Sequence, residues 1–361
     1  MWMLIFFVLP LVGLAYVLWH VWCMLPWGVA GKSAVVAVCI LAFATLFLNF
    51  SHAIDRFPMW LARACYEVGN SAIFVLLYLV MLFLLLDIGR LLHVVPRTLL
   101  YANGYASLAV TALMVVVFAA AYANYMHKAR HEVSLPVAKN VPADTKLVMM
   151  SDLHLGYHNG RKELARWVDM VNAERPDVVL FAGDIVDGSL RPLTDEDMAA
   201  ELRRIDAPMF ACLGNHEYYS GIDGSVDFYR EAGITLLRDS AATVGNIVIV
   251  GRDDRSNRHR KSIGALMRGV DTSKYVILLD HQPYHLEQAE RAGVDFQFSG
   301  HTHHGQVWPI SWITQSVYED AYGPWQRGDT RYYVSSGMGI WGAKFRIGTC
   351  SEYIVATFGG D

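Results

Sequence analysis

The strongest constraint on this chain is that its first 127 residues are almost free of charge. Four apolar stretches, about 3–25, 33–50, 71–92 and 105–126, each approach the ~20 residues a helix needs to cross a hydrocarbon core of ~30 Å. The charged side chains there are Lys32, Arg56, Arg63, Arg90 and Arg97 against Asp55, Glu67 and Asp87. A soluble helical bundle would carry polar stripes, and these segments show almost none. Residues 1–127 therefore read as a multi-pass, integral membrane region of four helices. The first stretch has no basic flank, is too long for the apolar part of a secretory signal, and runs into Trp22, Pro26 and Trp27 rather than small cleavage-site residues. It is expected to stay attached.

An even number of spans puts the N-terminus and the large C-terminal part on one side. Arg56, Arg63, Lys128, Arg130 and Lys139 flank the spans on that side, against Lys32, Arg90 and Arg97 on the other. The positive-inside bias then favours a cytoplasmic domain on a bacterial inner membrane. Cysteine usage agrees with a reducing compartment, since Cys23, Cys39, Cys65, Cys212 and Cys350 show no paired spacing of a disulfide framework or zinc ribbon.

The basic, proline-punctuated stretch 128–145 reads as a juxtamembrane linker, and residues 146–361 as a separate domain. LVMMSD ends a strand, 162–174 has helical spacing through Leu164, Trp167, Val168 and Val171, and DVVLFAGD is a second buried strand. PMFACLGNH, YVILLDHQP and DFQFSGHTH continue the pattern, RYYVSSG and EYIVATF are late strands, and shorter helices are expected near 195–205, 226–232, 263–267 and 286–292. This alternation argues for an α/β domain, two packed mixed β-sheets flanked by helices in an α-β-β-α sandwich.

Nearly all of these strands lead straight from an apolar run into polar residues. The strings SDLHLG, AGDIVDG, CLGNHEYY, LLDHQP and SGHTHHGQ present Asp152 and His154, Asp184, Asn215 with His216, His281, then His301 and His303. In open α/β sheets, functional loops converge beyond the carboxyl ends of the strands, so five such loops can meet. Carboxylate, imidazole and amide oxygen without thiolate suit Mn, Fe, Zn or Mg. Seven ligands shared between two divalent metal ions require one bridging carboxylate.

These strings resemble the calcineurin-like metallophosphoesterase superfamily, whose pattern is D-x-H, G-D-x-x-D, G-N-H, a lone His and G-H-x-H. The resemblance covers residue 146 to the C-terminus, making 146–361 the expected metallophosphoesterase catalytic domain. It implies Asp152, His154 and His303 on one metal, Asn215, His281 and His301 on the other, and Asp184 bridging both. Such a pair holds a hydroxide for in-line attack on phosphorus. It further implies that His216 is a general acid rather than a ligand, with Asp187 orienting it. Gly188 follows Asp187, where the phosphoprotein phosphatases of the superfamily carry a phosphate-gripping arginine, which speaks against a phosphoserine substrate. GHTHHGQ and YVSSGMGIWG look like the branch of membrane-associated phosphohydrolases that includes the YkuE and YaeI types. That branch commonly has Gly-Gly after the histidine pair; His304 and Gly305 stand here, and the role of His304 stays open.

His158, Arg161 and Lys162 follow the D-x-H loop and read either as phosphate contacts or as a solvated helix start. The aromatic run 307–325, with Trp308, Trp312, Tyr318, Tyr322 and Trp325, reads as a lipid-touching lid or as ordinary loop packing. His20, Asn49, Asp87 and His93 read as isolated polar residues at headgroup depth or as the lining of a polar path. The expected function is a membrane-anchored, dinuclear-metal phosphohydrolase acting on a phosphodiester or pyrophosphate, its substrate a membrane-associated, lipid-linked or nucleotide-lipid phosphoester, with the bilayer as partner and no nucleic acid indicated. Cleavage of a nucleotide-activated glycolipid precursor is one concrete version. The alternative is a non-catalytic membrane scaffold or binding module; a transporter ranks last, because charged intramembrane clusters and broken-helix signals are absent from the pattern.

Overall fold

The computed structural model describes residues 2–136 and 139–359; for residues 2–7 and 50 it describes the backbone alone. Residues 137–138 of the expected linker and 360–361 of the expected domain lie outside the described residues. The chain divides into two units, 1–123 with 342–344 and 124–341 with 345–361.

The first unit is built from α1 (Trp2–Met24), α2 (Val29–Phe50), α3 (Met59–Leu91) and α4 (Gly104–Met126). Val29–Asn49, Met59–Leu91 and Gly104–Met126 are long and apolar enough to cross a membrane, and Val8–Met24 is a shorter apolar helix. At 33 residues α3 is about 50 Å long and begins well before residue 71, because its helix continues through the polar first turns that hold Arg63 and Glu67. Close approach of α2 and α3 depends on Gly69, where a Cβ would meet the backbone nitrogen of Leu46 at 2.5 Å. Of the polar residues in the spans, His20 and Asp87 are not isolated. His20 Nε2 lies 3.0 Å from Asp87 Oδ2, the same oxygen accepts the Tyr16 hydroxyl at 2.7 Å, and the His20 ring stacks on Phe83. Pairing is what makes ionisable groups tolerable among apolar helices.

Among its described residues the second unit carries twelve strands in two six-stranded mixed sheets. The first is ordered β1 (Lys128–Leu135), β12 (Ser351–Phe358), β2 (Lys146–Met150), β3 (Val178–Ala182), β4 (Met209–Cys212), β5 (Ile234–Leu236). The second is ordered β10 (Gly323–Arg327), β11 (Thr330–Val334), β9 (Phe296–Ser299), β8 (Tyr275–Leu279), β7 (Ile247–Gly251), β6 (Ser240–Val244). Strand alternation sorts the core into layers. Leu147 and Met149, Leu180 and Ala182, and Ile277 and Leu279 pack between the sheets, while Val148, Met150, Val179 and Phe181 pack outward with Leu164, Trp167 and Val168 of α5 (Arg161–Glu174). On the far face, Val276 and Leu278 meet Ile263, Leu286 and Ala289. The expected α-β-β-α sandwich is the observed fold.

Two parts of the domain differ from the expectation. Residues 128–135, expected as part of the linker, form edge strand β1, parallel to β12 from Lys128↔Ser351 to Leu135↔Phe358. Charges on Lys128, Arg130 and Glu132 alternate with Ala129, His131 and Val133, so a solvated edge face conceals the strand pattern. The aromatic run 307–325 contains a helix, Ile310–Val317, and most of β10. Strands β2, β3 and β4 are mutually parallel, as are β7, β8 and β9. Each of β2, β3, β4, β8 and β9 ends just before one of the polar strings.

Candidate metal centre

Five loops bring the expected residues together. His154 Nε2 is 3.0 Å from His303 Nε2, and Asp152 Oδ1 lies 3.4 Å from His303 Nε2 and 3.8 Å from His154 Nε2. Asp184 Oδ2 lies 3.1 Å from His281 Nε2 and 3.8 Å from His154 Nε2, between the two halves of the cluster. The His281 and His301 rings are 5.2 Å apart, and ligand atoms of Asp184, His281 and His301 lie within 4.8 Å of one another. Asn215 begins the helix Asn215–Ser220, with its Oδ1 buried and unpartnered. His216 directs Nδ1 to Asp187 Oδ1 at 2.7 Å, and its backbone N–H donates to Asp184 Oδ1 at 2.8 Å. His216 also belongs to a group with His154 and Asp184 whose ligand atoms lie within 4.8 Å, so proximity does not separate it from the ligands.

The loops are held in uncommon backbone conformations. Asp152, His154, Asp184, His301 and His303 all have φ between 46° and 71°, a left-handed region that costs non-glycine residues energy and that clusters at functional sites. Backbone bonds lace them together: Asp152 N donates to Gly183 O, His154 N to Asp184 O, and His301 N to the Asp152 carboxylate. Gly214 lets the β4 loop approach Asp184, since a Cβ there would stand 2.2 Å from Asp184 Oδ1 and 2.6 Å from its backbone nitrogen. Gly214→Ala is expected to weaken metal binding at least tenfold and to cost about 1–3 kcal/mol of stability through overpacking, read from metal content and thermal unfolding. Wild-type metal content in that variant would show that the contact is slack.

The donor set fits cations. Among the described residues the ion-pair partners of Asp152 and Asp184 are all histidines. Burial opposes ionisation of Asp152, Asp184 and Asp187, yet the surrounding histidines hold all three below the usual carboxylate range. Burial likewise opposes protonation of His154, but Asp152 and Asp187 draw it up to about 10, so the cluster pulls positive charge onto an imidazole. His301 is pushed down to about 4 by burial and by His281, which keeps it a neutral imidazole. His281 donates its Nδ1–H to Ala182 O at 2.7 Å and turns a buried Nε2 to Asp184 Oδ2 at 3.1 Å; burial opposes its protonation, but Asp184 holds it well above the usual imidazole range. A cation at that Nε2 would take the place of the proton, on a ring already oriented by its bond to Ala182 O.

Sequence reasoning missed the residues that hold these loops. The Glu217 carboxylate, fully buried, accepts backbone N–H groups of Asp184, Ile185, Val186 and Gly214 at 2.7–3.1 Å, joining the β3 and β4 loops. Burial, then the charge of Asp184, pushes Glu217 up in spite of those bonds. Buried Arg346, drawn down to about 10 by desolvation, donates to carbonyls of His303, Ser336 and Gly339. Asn159 holds the carbonyls of Leu153 and His154. A Glu directly after Gly-Asn-His is the one local signal of this kind.

The remaining sequence candidates are engaged elsewhere. His158 is buried with Nε2 on Ile340 O, and Arg161 pairs with Glu201. His304 stacks on Tyr322 with centroids 4.4 Å apart and lies in none of the metal-capable groups among the described residues. The helix Ile310–Val317 packs Ser311 inward and leaves Trp312 63% exposed with Ile313 and Val317 beside it.

Comparison with known proteins adds the following. Residues 145–305 match the family model described as calcineurin-like phosphoesterase. An uncharacterised metallophosphoesterase of Aquifex aeolicus is 33% identical over 236 residues, 62% of this chain and 88% of that protein. A transmembrane protein with metallophosphoesterase domain from Danio rerio is 28% identical over 358 residues, 90% of this chain and 82% of that protein. The uncharacterised metallophosphoesterase YkuE of Bacillus subtilis is 29% identical over 225 residues, 59% of this chain and 78% of that protein. The chain spans 61% and 58% of the length of two further relatives.

Proposed function

Since the chain belongs to the calcineurin-like phosphoesterase family, we propose that it is a membrane-anchored, metal-dependent phosphohydrolase that cleaves a phosphodiester or pyrophosphate in a lipid-linked substrate. The observation that carries the reading is the buried Asp/His cluster with the His216–Asp187 pair at its side. In this proposal residues 1–127 serve as the membrane region and 146–361 as the catalytic domain. Asp152, His154 and His303 hold one divalent ion, Asn215, His281 and His301 the other, and Asp184 both. When bound, the two ions supply Lewis-acid polarisation of the phosphoryl oxygens and a nucleophile at neutral pH.

The side chains do the rest. Ionised Asp152 and Asp184 keep the site negative and fix the ligand atoms. Asp187 accepts Nδ1–H of His216, which sets the tautomer and leaves Nε2 to exchange a proton with the leaving-group oxygen. His216 retains 15% side-chain exposure, enough for a substrate oxygen to reach it. A scaffold or binding module has no need of this pair. Support for an amphiphilic substrate comes from the apolar helices and from Trp312, Ile313 and Val317, exposed on a helix that follows the His301–His303 loop. The charge bias of the loops favours the cytoplasmic side for the domain in this reading.

The test is hydrolysis by the detergent-purified full chain after chelation and return of Mn²⁺. We expect metal-dependent cleavage of an aryl phosphodiester in preference to the matching monoester, and faster cleavage when the diester carries an acyl chain in mixed micelles. Preference for the monoester would overturn the diester assignment, and indifference to the acyl chain the lipid assignment. Two bound ions with no turnover of any phosphoester would favour the scaffold.

A further inference from the structure

We infer that His131, Cys350 and Glu352 form a third cation site, separate from the paired centre and suited to a single thiophilic ion of the zinc type. Parallel pairing of β1 with β12 sets Ala129 opposite Glu352 and His131 opposite Ile354, so His131 and Glu352 share one face of the sheet. Ile354 on that face belongs to the layer between the sheets. The cluster therefore lies at the edge-strand rim of that layer, with Cys350 just before β12 and Tyr333 reaching in from β11.

The ligand atoms of the three residues lie within 4.8 Å of one another. Glu352 Oε2 is 3.2 Å from His131 Nε2 and 3.9 Å from Cys350 Sγ. Ordinary zinc–ligand lengths give tetrahedral edges of ~3.3 Å for N···O and ~3.5 Å for S···O. The side chains are thus nearly at coordinating separation.

The electrostatics point the same way. Glu352 is fully buried, and among the described residues no Lys or Arg forms an ion pair with it, the buried Arg346 acting on it only at longer range. Its Oε1 accepts the backbone N–H of Ser336 at 2.9 Å. Tyr322 and Tyr333 hydroxyls, the Cys350 thiol and His131 all converge on Oε2, more donors than one carboxylate oxygen accepts. His131 Nε2 is shielded from solvent, and its contact with Glu352 Oε2 at 3.2 Å lacks hydrogen-bond geometry. A cation at the meeting point would take the carboxylate, the imidazole and a thiolate together, with the Tyr322 and Tyr333 hydroxyls orienting the same Oε2. Thiolate, imidazole and carboxylate also differ from the all-nitrogen-and-oxygen donors of the paired centre, so the two sites would sort metals by softness.

Tyr322 gives the site a route to the catalytic loop. Its hydroxyl is 3.0 Å from Glu352 Oε2 and 3.5 Å from Cys350 Sγ, while its ring stacks on His304, the neighbour of His303. The ion would pin β1, the start of β12 and Tyr322 as one unit. This assignment does not depend on the phosphohydrolase reading.

The experiment is cobalt loading of the full chain in detergent, followed by near-ultraviolet absorption. A thiolate-to-cobalt charge-transfer band reports this site alone, because the paired centre contains no sulfur ligand. We expect the band in the wild type, its retention in Asp184→Asn, and its loss in Cys350→Ser together with one equivalent of bound metal. His131→Gln, at a side chain 41% exposed, keeps the thiol and is expected to lose the band as well, which guards against misfolding of the cysteine variant. Absence of the band at saturating Co²⁺, or its persistence in Cys350→Ser, overturns the assignment.

Discussion

Asp184→Asn is expected to remove both turnover and metal loading of the paired centre while leaving the fold intact. Asp184 is buried, its Oδ2 stands between His281 and His154, and its Oδ1 accepts the His216 backbone N–H. Asparagine keeps the size and one acceptor but offers no anionic oxygen to share between two cations. Loss of one Lewis-acid contact is worth several kcal/mol of transition-state stabilisation, so the rate should fall by roughly 10³-fold or more. Metal analysis beside hydrolysis checks both halves, and an unfolding transition matching that of the metal-free wild type shows that the loss is local. A variant that retained both ions would remove Asp184 from the bridging position.

His216→Ala is expected to do the opposite with metal. Both ions should remain, while the rate falls by about 10² or more, the usual contribution of a positioned proton donor. The decisive comparison uses two leaving groups. A strongly acidic aryl alcohol departs without a proton, so the variant should approach wild-type rates on it; a poorly acidic alkyl alcohol needs the proton, so the deficit should appear there. Because His216 sits within the same cluster as His154 and Asp184, loss of an ion in this variant is the result that would make it a ligand.

The parts legible in sequence are those where chemistry and periodicity fall on neighbouring residues. Strands β2, β3, β4, β8 and β9 announce themselves as apolar runs ending in Asp, Asn or His, and the same runs deliver those residues to one place. Strand β1 was not legible, because Lys128, Arg130 and Glu132 give its open face the look of a linker. Glu217 was not, because its four N–H partners lie on two turns that only the folded sheet brings together. The same holds for Tyr16, His20 and Asp87, which are joined across α1 and α3, and for His131, Cys350 and Glu352. Proximity created by sheet order leaves no local trace in composition.

Glu217 holds part of the site without help from a metal. By collecting the N–H groups of Asp184, Ile185, Val186 and Gly214, it supports two of the five loops through contacts that involve no cation. The cradle is a socket rather than a drawstring, tied by the chain's own hydrogen bonds. Ion capture then carries little ordering entropy, unlike small metallo-domains whose folding is the binding event. Exchange of one ion for another is therefore expected to leave the domain folded, with the metal in use set by what the surroundings supply as much as by the chain.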